Sequence, residues 1–300
     1  MKHFIESQQL DRNTINKIFQ LAGQLEKKKR VSLKGNILAS LFYEPSTRTR
    51  FSFESAMLRL GGDVITTENA KEFSSAAKGE TLEDTIRIIN NYADIIILRH
   101  YEKGASERAA GVSQVPVINA GDGAGQHPTQ ALLDLYTIRK ELRKIDGVSI
   151  AFVGDLKNGR TVRSLVYLLG KFRNIKIFFV SPKELKISDD IKKYLNRHGV
   201  AYKELERWDT IIGEIDALYQ TRIQEERFKN IQEYKKFKGQ YVLTLKEASQ
   251  MKKKSIIMHP LPRVDEIAPE VDSSPKAAYF RQARYGLFIR MALLCFLLKR

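Results

Sequence analysis

The chain has 300 residues, 43% hydrophobic and 29% charged, enough for two ordinary globular domains. Its formal net charge of +16 admits nucleic acid, membrane surfaces or small anions as partners. Most of the excess lies in residues 146–300, with 30 basic against 18 acidic side chains, compared with 21 against 17 over 1–145. Clusters such as Lys252 to Lys254 lack interleaved aromatics and read as solvated faces, which argues against nucleic-acid binding.

In chain order, helical periodicity predicts a helix over 11–30, and the apolar run NILASLFY predicts a strand over 36–43. Helices at 47–60 and 80–91 precede strands at 93–100 and 115–121, and a helix at 128–143 follows. The second half repeats the alternation: strands at 148–155, 176–182, 216–221 and 255–261, and helices at 161–172, 188–198 and 275–298. Gly61, Gly62 and Gly170 serve as stop signals. Continuous apolar strands alternating with amphipathic helices define an α/β protein, with mainly parallel sheets flanked by helices. ELRKIDG (141–147) suits a passage between lobes, giving domains 1–145 and 146–279. FIRMALLCFLL (288–298) contains Arg290 and is too short for a bilayer, so it is expected to be a buried helix. The single cysteine, Cys295, lies inside it as an inert thiol, and no multi-cysteine metal site is possible. MKHFIESQQL has no apolar signal core, so a cytoplasmic protein without membrane association is expected.

In open α/β sheets ligands collect at the carboxyl ends of the strands, which directs attention to the residues that follow each one. After the strand at 36–43 comes EPSTRTR, where Ser46 and Thr47 suit a capped helix start, a ready anion site. Arg48 and Arg50 in its first turn lie about 200° apart and must have different tasks. Arg50 can pair with Glu54 at i,i+4, whereas the corresponding positions for Arg48 hold Phe51 and Ser52. Arg99 and His100 end another strand, and NAGDGAGQHPTQ (119–130) brings His127 and Gln130. GDLKNGRT (154–161), TRIQ (221–224) and HPLPR (259–263) follow later strands. Arg48, Arg99, Arg160 and Arg222 thus recur at equivalent edges. Two unpaired guanidinium groups about 4 Å apart would repel by roughly 4 kcal/mol at an effective dielectric near 20, so their convergence calls for multiply anionic ligands.

STRTR (46–50), SSAAKGET (74–81), LRH (98–100), QHPTQ (126–130), GDLKNGRT, TRIQ and HPLPRVDEI (259–267) together resemble aspartate carbamoyltransferase catalytic chains, in order and over nearly the whole length. The resemblance implies an enzyme of early pyrimidine biosynthesis that carbamoylates L-aspartate from carbamoyl phosphate, with no cofactor and no metal. It implies that the C-terminal helix, about 280–300, packs back on the first domain. It assigns carbamoyl phosphate to Ser46, Thr47, Arg48, Thr49, Arg99, His127 and Gln130, with backbone carbonyls of Leu261 and Pro262. It gives the aspartate carboxylates to Arg160, Arg222 and Gln224, and it implies a homotrimer in which Ser74 and Lys78 reach a neighbouring chain's site.

Within that reading, Arg48, Thr49, Lys78, Arg99 and His127 are the catalytic candidates, and Arg99, His127 and Thr49 are the donors to the developing oxyanion. The related ornithine enzymes carry cysteine in an HCLP motif where this chain has His259-Pro260-Leu261-Pro262. Tyr285 stands where the family pattern has asparagine. Transfer to another amino acid stays open, as do separate regulatory chains. A second reading takes GDLKNGRT as a P-loop of a nucleotide hydrolase, weakened by arginine in the lysine position.

Overall fold

The structure is a computed structural model that describes residues 1–73, 75–225, 228 and 230–298. It divides into two compact units, Met1–Leu133 with the chain from Arg284 onward, and Asp134–Ala283. The first contains α1 (Arg12–Glu26), β1 (Ile37–Phe42), α2 (Thr47–Arg59), β2 (Asp63–Glu68), α3 (Ala70–Phe73), α4 (Leu82–Ile89), β3 (Ile95–His100), α5 (Ala105–Val112) and β4 (Val117–Asp122). The helix α6 (Pro128–Leu142) follows. The second contains β5 (Ser149–Val153), α7 (Arg160–Leu169), β6 (Lys176–Val180), α8 (Asp189–Arg197), β7 (Ala201–Leu205), β8 (Ala217–Gln220), α9 (Ile231–Lys235), α10 (Leu245–Gln250), β9 (Ile256–Met258) and the start of α11 (Tyr279–Leu298). Among the described residues no helix is long and apolar enough to cross a membrane.

Both sheets are entirely parallel, in the orders β2-β1-β3-β4 and β7-β6-β5-β8-β9. Parallel neighbours need crossovers, and right-handed crossovers leaving a central strand in both directions cover both faces with helices. The central strands are therefore mainly apolar, and β1, β3, β5 and β8 are almost wholly buried.

All seven strands predicted from apolar runs are present. Two more, β2 and β7, were not predicted: DVITTE and AYKEL are half exposed, lying on sheet edges where polar side chains are tolerated and deter further pairing. The opposite edges are covered. Phe4 pairs with β4, its N–H donating to Val117 O at 2.8 Å, and Ile257 of β9 pairs with Ala277. This cover explains why β4 and β9 are as buried as inner strands. Helices α3, α5, α9 and α10, of four to eight residues, were also missed, being too short to show a period. Gly61 has the left-handed φ of +80° expected of a helix stop. Gly170 does not: it is right-handed, and a Cβ there would lie 2.6 Å from Tyr194 Cε1, so its smallness serves the approach of α8 to α7.

The last four turns of α11 belong to the first unit, where the Arg290 guanidinium stacks 5.1 Å from the Phe53 ring centroid. In the second unit a buried polar chain crosses the core. Tyr219 donates to Asp134 Oδ2 at 2.7 Å, Gln282 Nε2 donates to Asp134 Oδ1 at 2.6 Å, and Gln282 Oε1 accepts the His259 N–H at 3.0 Å. Burial, and then the Asp134 carboxylate, push the Tyr219 phenol far above its ordinary value, so it remains a donor. Tyr219→Phe removes that donor from a buried acceptor, and denaturant unfolding is expected to show a loss of about 1–3 kcal/mol.

Candidate active site

In each sheet the winding reverses between two central strands, β1 and β3 in the first unit and β5 and β8 in the second. At such a reversal the crossovers diverge and leave a crevice at the carboxyl ends. Register fixes what stands there. Phe42 lies opposite Arg99, so EPSTRTR and Arg99 flank the first reversal. Val153 lies opposite Gln220, so GDLKNGRT and TRIQ flank the second. The first unit thus brings Ser46, Thr47, Arg48, Thr49, Arg99, His127 and Gln130 to one sheet edge. The second brings Arg160, Arg222, Gln224, Leu261 and Pro262 to its own. Lys78 is exposed at the end of a 3-10 turn, Ser75–Lys78. Ser74 lies outside the described residues.

The mouth of α2 differs from those of α1 and α4. Asp11 caps α1 by accepting the Thr14 N–H at 2.7 Å, and Thr81 caps α4 by accepting the Asp84 N–H at 3.1 Å. Ser46 occupies the equivalent position of α2, but its hydroxyl makes no capping bond, which leaves hydroxyl and first-turn N–H groups available to an anion. The two arginines also part as their spacing predicts. Arg50 Nη1 lies 3.0 Å from Glu68 and its Nε 3.8 Å from Glu54, tying α2 to β2. Among the described residues Arg48 has no acidic partner. It is exposed, and the desolvation imposed by its neighbours lowers its pKa, with no carboxylate opposing the shift.

Arg99 departs from the picture of unpaired guanidinium groups: its Nη2 is 3.0 Å from Glu44 Oε2, and Nη1 donates to Ala120 O at 3.3 Å. Glu44, two residues before Ser46, was missed as a site residue, though an acid just ahead of Arg48 and Arg50 was the available signal. His127, Thr49 and Gln130 are buried. The loop carrying His127 is built around Asp122, whose Oδ1 accepts from Gln126 N at 2.8 Å and Asn119 Nδ2 at 3.1 Å, and whose Oδ2 accepts from Gly104 N at 2.8 Å. The Thr129 hydroxyl lies 3.4 Å from His127 Nδ1; a proton donated there leaves Nε2–H as the ring's donor.

At the second reversal β5 and β8 press together. Gly154 (φ +112°) has no room for a Cβ, which would stand 2.3 Å from Thr221 O, and the Thr221 N–H and hydroxyl both donate to Val153 O. The P-loop reading fails here. A P-loop offers its amides to phosphate, but here Leu156 and Lys157 N–H donate to Leu185 O, and Asn158 N–H to the buried Asp155 carboxylate at 3.1 Å. A carboxylate inside the loop repels the ligand that a P-loop exists to hold.

Beyond β9, Leu261 has a left-handed φ of +53° and is followed by a cis peptide to Pro262. Its N–H donates to His259 Nδ1 at 2.7 Å.

Two parallel-sheet units, each with arginines at the reversal of its strands, define an α/β scaffold suited to anionic ligands. The description "Aspartate/ornithine carbamoyltransferase, carbamoyl-P binding domain" matches residues 2–140, and its partner, the "Asp/Orn binding domain", matches 146–297. The chain belongs to the aspartate/ornithine carbamoyltransferase family. It is 54% identical to the aspartate carbamoyltransferase catalytic subunit of Methanocaldococcus jannaschii, over 98% of this chain and 97% of that one. It is 57% identical to chloroplastic aspartate carbamoyltransferase 2 of Pisum sativum, over 98% of this chain and 78% of that one. A solved M. jannaschii catalytic subunit superimposes with a TM-score of 0.92 at 53% identity, covering 100% of this chain and 98% of that one. The Trypanosoma cruzi enzyme in complex with N-(phosphonacetyl)-L-aspartic acid superimposes with a TM-score of 0.91 at 42% identity, covering 98% and 94%.

Because Arg48 has no carboxylate partner among the described residues and Arg50 is held by two, Arg48→Gln is expected to weaken carbamoyl phosphate binding by about tenfold or more, and Arg50→Gln by far less. Isothermal titration of the two variants checks this.

Proposed function

We propose that this protein is an enzyme that transfers the carbamoyl group of carbamoyl phosphate to the α-amino group of L-aspartate, giving N-carbamoyl-L-aspartate and phosphate for pyrimidine synthesis in the cytoplasm. The observation that carries the reading is Arg48: a guanidinium with no acidic partner among the described residues, at a helix mouth whose cap is unused, on the sheet edge it shares with Arg99 and His127. A dianionic phosphate turns both the helix dipole and the arginine from costs into attractions.

Carbamoyl phosphate is held by Ser46, Thr47, Arg48, Thr49, Arg99, His127 and Gln130, with the carbonyls of Leu261 and Pro262 taking its amide. Arg160, Arg222 and Gln224 take the carboxylates of aspartate. The aspartate amine attacks the carbonyl carbon, the C–N bond forms, and the tetrahedral oxyanion receives hydrogen bonds from Arg99, His127 and Thr49. The C–O bond to phosphate then breaks, and the amine proton leaves with the departing phosphate. Holding two anions in line supplies the catalysis without a covalent enzyme intermediate. Because Arg222 favours a second carboxylate over an ammonium group, aspartate is the acceptor in place of ornithine.

A homotrimer with composite sites is the proposed assembly. Phe51 and Leu58, 54% and 59% exposed, lie one heptad apart on α2 and line an open groove with Glu54, Ser55 and Arg59. That mixture of apolar and oppositely charged side chains suits a second copy of the chain. Lys78, and with it Ser74, would complete the neighbour's site.

An assay with aspartate and ornithine competing for carbamoyl phosphate is expected to yield carbamoyl-aspartate alone; product from ornithine alone would overturn the assignment. Arg48→Ala and Lys78→Ala are each expected to lower turnover at least about a hundredfold. Dissociated and reassembled together, the two should regain about a quarter of the native sites by random assortment. Absence of recovery in the mixture counts against shared sites.

A further inference from the structure

His259 and Glu266 stand outside the residues assigned to substrate, yet their side chains are only 1% and 8% exposed and meet at 2.6 Å. The ring's other nitrogen settles its protonation. Nδ1 accepts the Leu261 N–H at 2.7 Å, so Nε2 carries the hydrogen and donates it to Glu266 Oε1. Glu266 Oε2 accepts the N–H groups of Val264 at 3.1 Å and Asp265 at 3.2 Å. The pair therefore grips the strand-end loop at residue 261 and again at residues 264 and 265. At the first grip Leu261 holds a left-handed backbone, a conformation that a leucine keeps only where its surroundings impose it.

We infer that His259 and Glu266 are positioning residues: by fixing the ring with Nδ1 as acceptor, they set the direction of the Leu261 carbonyl and so the affinity for the carbamoyl amide. This rests on the proposed carbamoyl transfer. A buried polar pair is no more stabilising than well-packed apolar residues of the same volume, so mere stability does not require it. What an apolar pair lacks is an acceptor for the Leu261 N–H.

Two substitutions separate the grips. In His259→Asn the amide oxygen takes the place of Nδ1, keeping the bond from Leu261 while losing that to Glu266. In His259→Gln the longer side chain still reaches Glu266 but offers Leu261 no acceptor. Calorimetric titration with carbamoyl phosphate should show affinity falling about tenfold for the glutamine variant and staying within about threefold of wild type for the asparagine variant. The KM for aspartate should stay level in both. Equal affinities in the two variants, whether retained or lost, overturn the inference. Wild-type protein that binds no carbamoyl phosphate overturns the functional reading instead. Nitrogen-15 NMR of the wild-type ring supplies a readout independent of the variants' folding: the expected signature is an unprotonated Nδ1, and a protonated Nδ1 sinks the inference.

Discussion

A parallel sheet that winds first one way and then the other leaves a gap at the carboxyl ends of its two central strands, because the crossovers diverge there and no helix closes over it. Both sheets of this protein obey that constraint, at β1 and β3 and at β5 and β8. The chemistry-bearing residues follow from it. A strand buried on both faces has little room for charge along its length, so charged side chains must wait for its end. Arg99 is the last residue but one of β3, and Arg222 stands two residues past β8. The tight contact of Gly154 with Thr221 keeps the ends of β5 and β8 in fixed register.

Similar local sequences acquire different electrostatics from their partners. EPSTRTR and GDLKNGRT both lead from a strand into a helix with arginine in its first turn. The first leaves its capping hydroxyl and first-turn amides uncommitted, whereas the second turns its amides inward onto Leu185 and the Asp155 carboxylate. One loop therefore offers an anion its first-turn backbone, whereas the other has turned the amides of Leu156, Lys157 and Asn158 away. Arg48 and Arg50 show the same division two residues apart.

How much was legible in the sequence follows burial. Strands covered on both faces carry continuous apolar runs and were read directly; the polar edge strands β2 and β7 have no such run and were not. The strand-end arginines were legible because strand ends are, and the bland fate of Arg50 because Glu54 lies one helical turn away. Glu44 escaped because its partner, Arg99, is distant in sequence and adjacent only through parallel pairing. His259 and Glu266 escaped for a related reason: their meaning depends on which ring nitrogen faces which loop amide, a fact of three-dimensional geometry. Residues whose proposed task lies on another chain, Lys78 foremost, carry no periodicity or spacing that announces it.

The return of α11 to the first unit has a consequence for synthesis. The second unit is one uninterrupted stretch of chain, Asp134–Ala283, whereas the first lacks its closing helix until Arg284 and the residues after it have emerged from the ribosome. Leu293, Leu294 and Leu297, all buried in the finished protein, arrive only after the whole second unit. The nascent chain must therefore shelter an unfinished apolar surface on its earliest-made half while the later-made half matures, reversing the usual order in which tandem domains reach their native state.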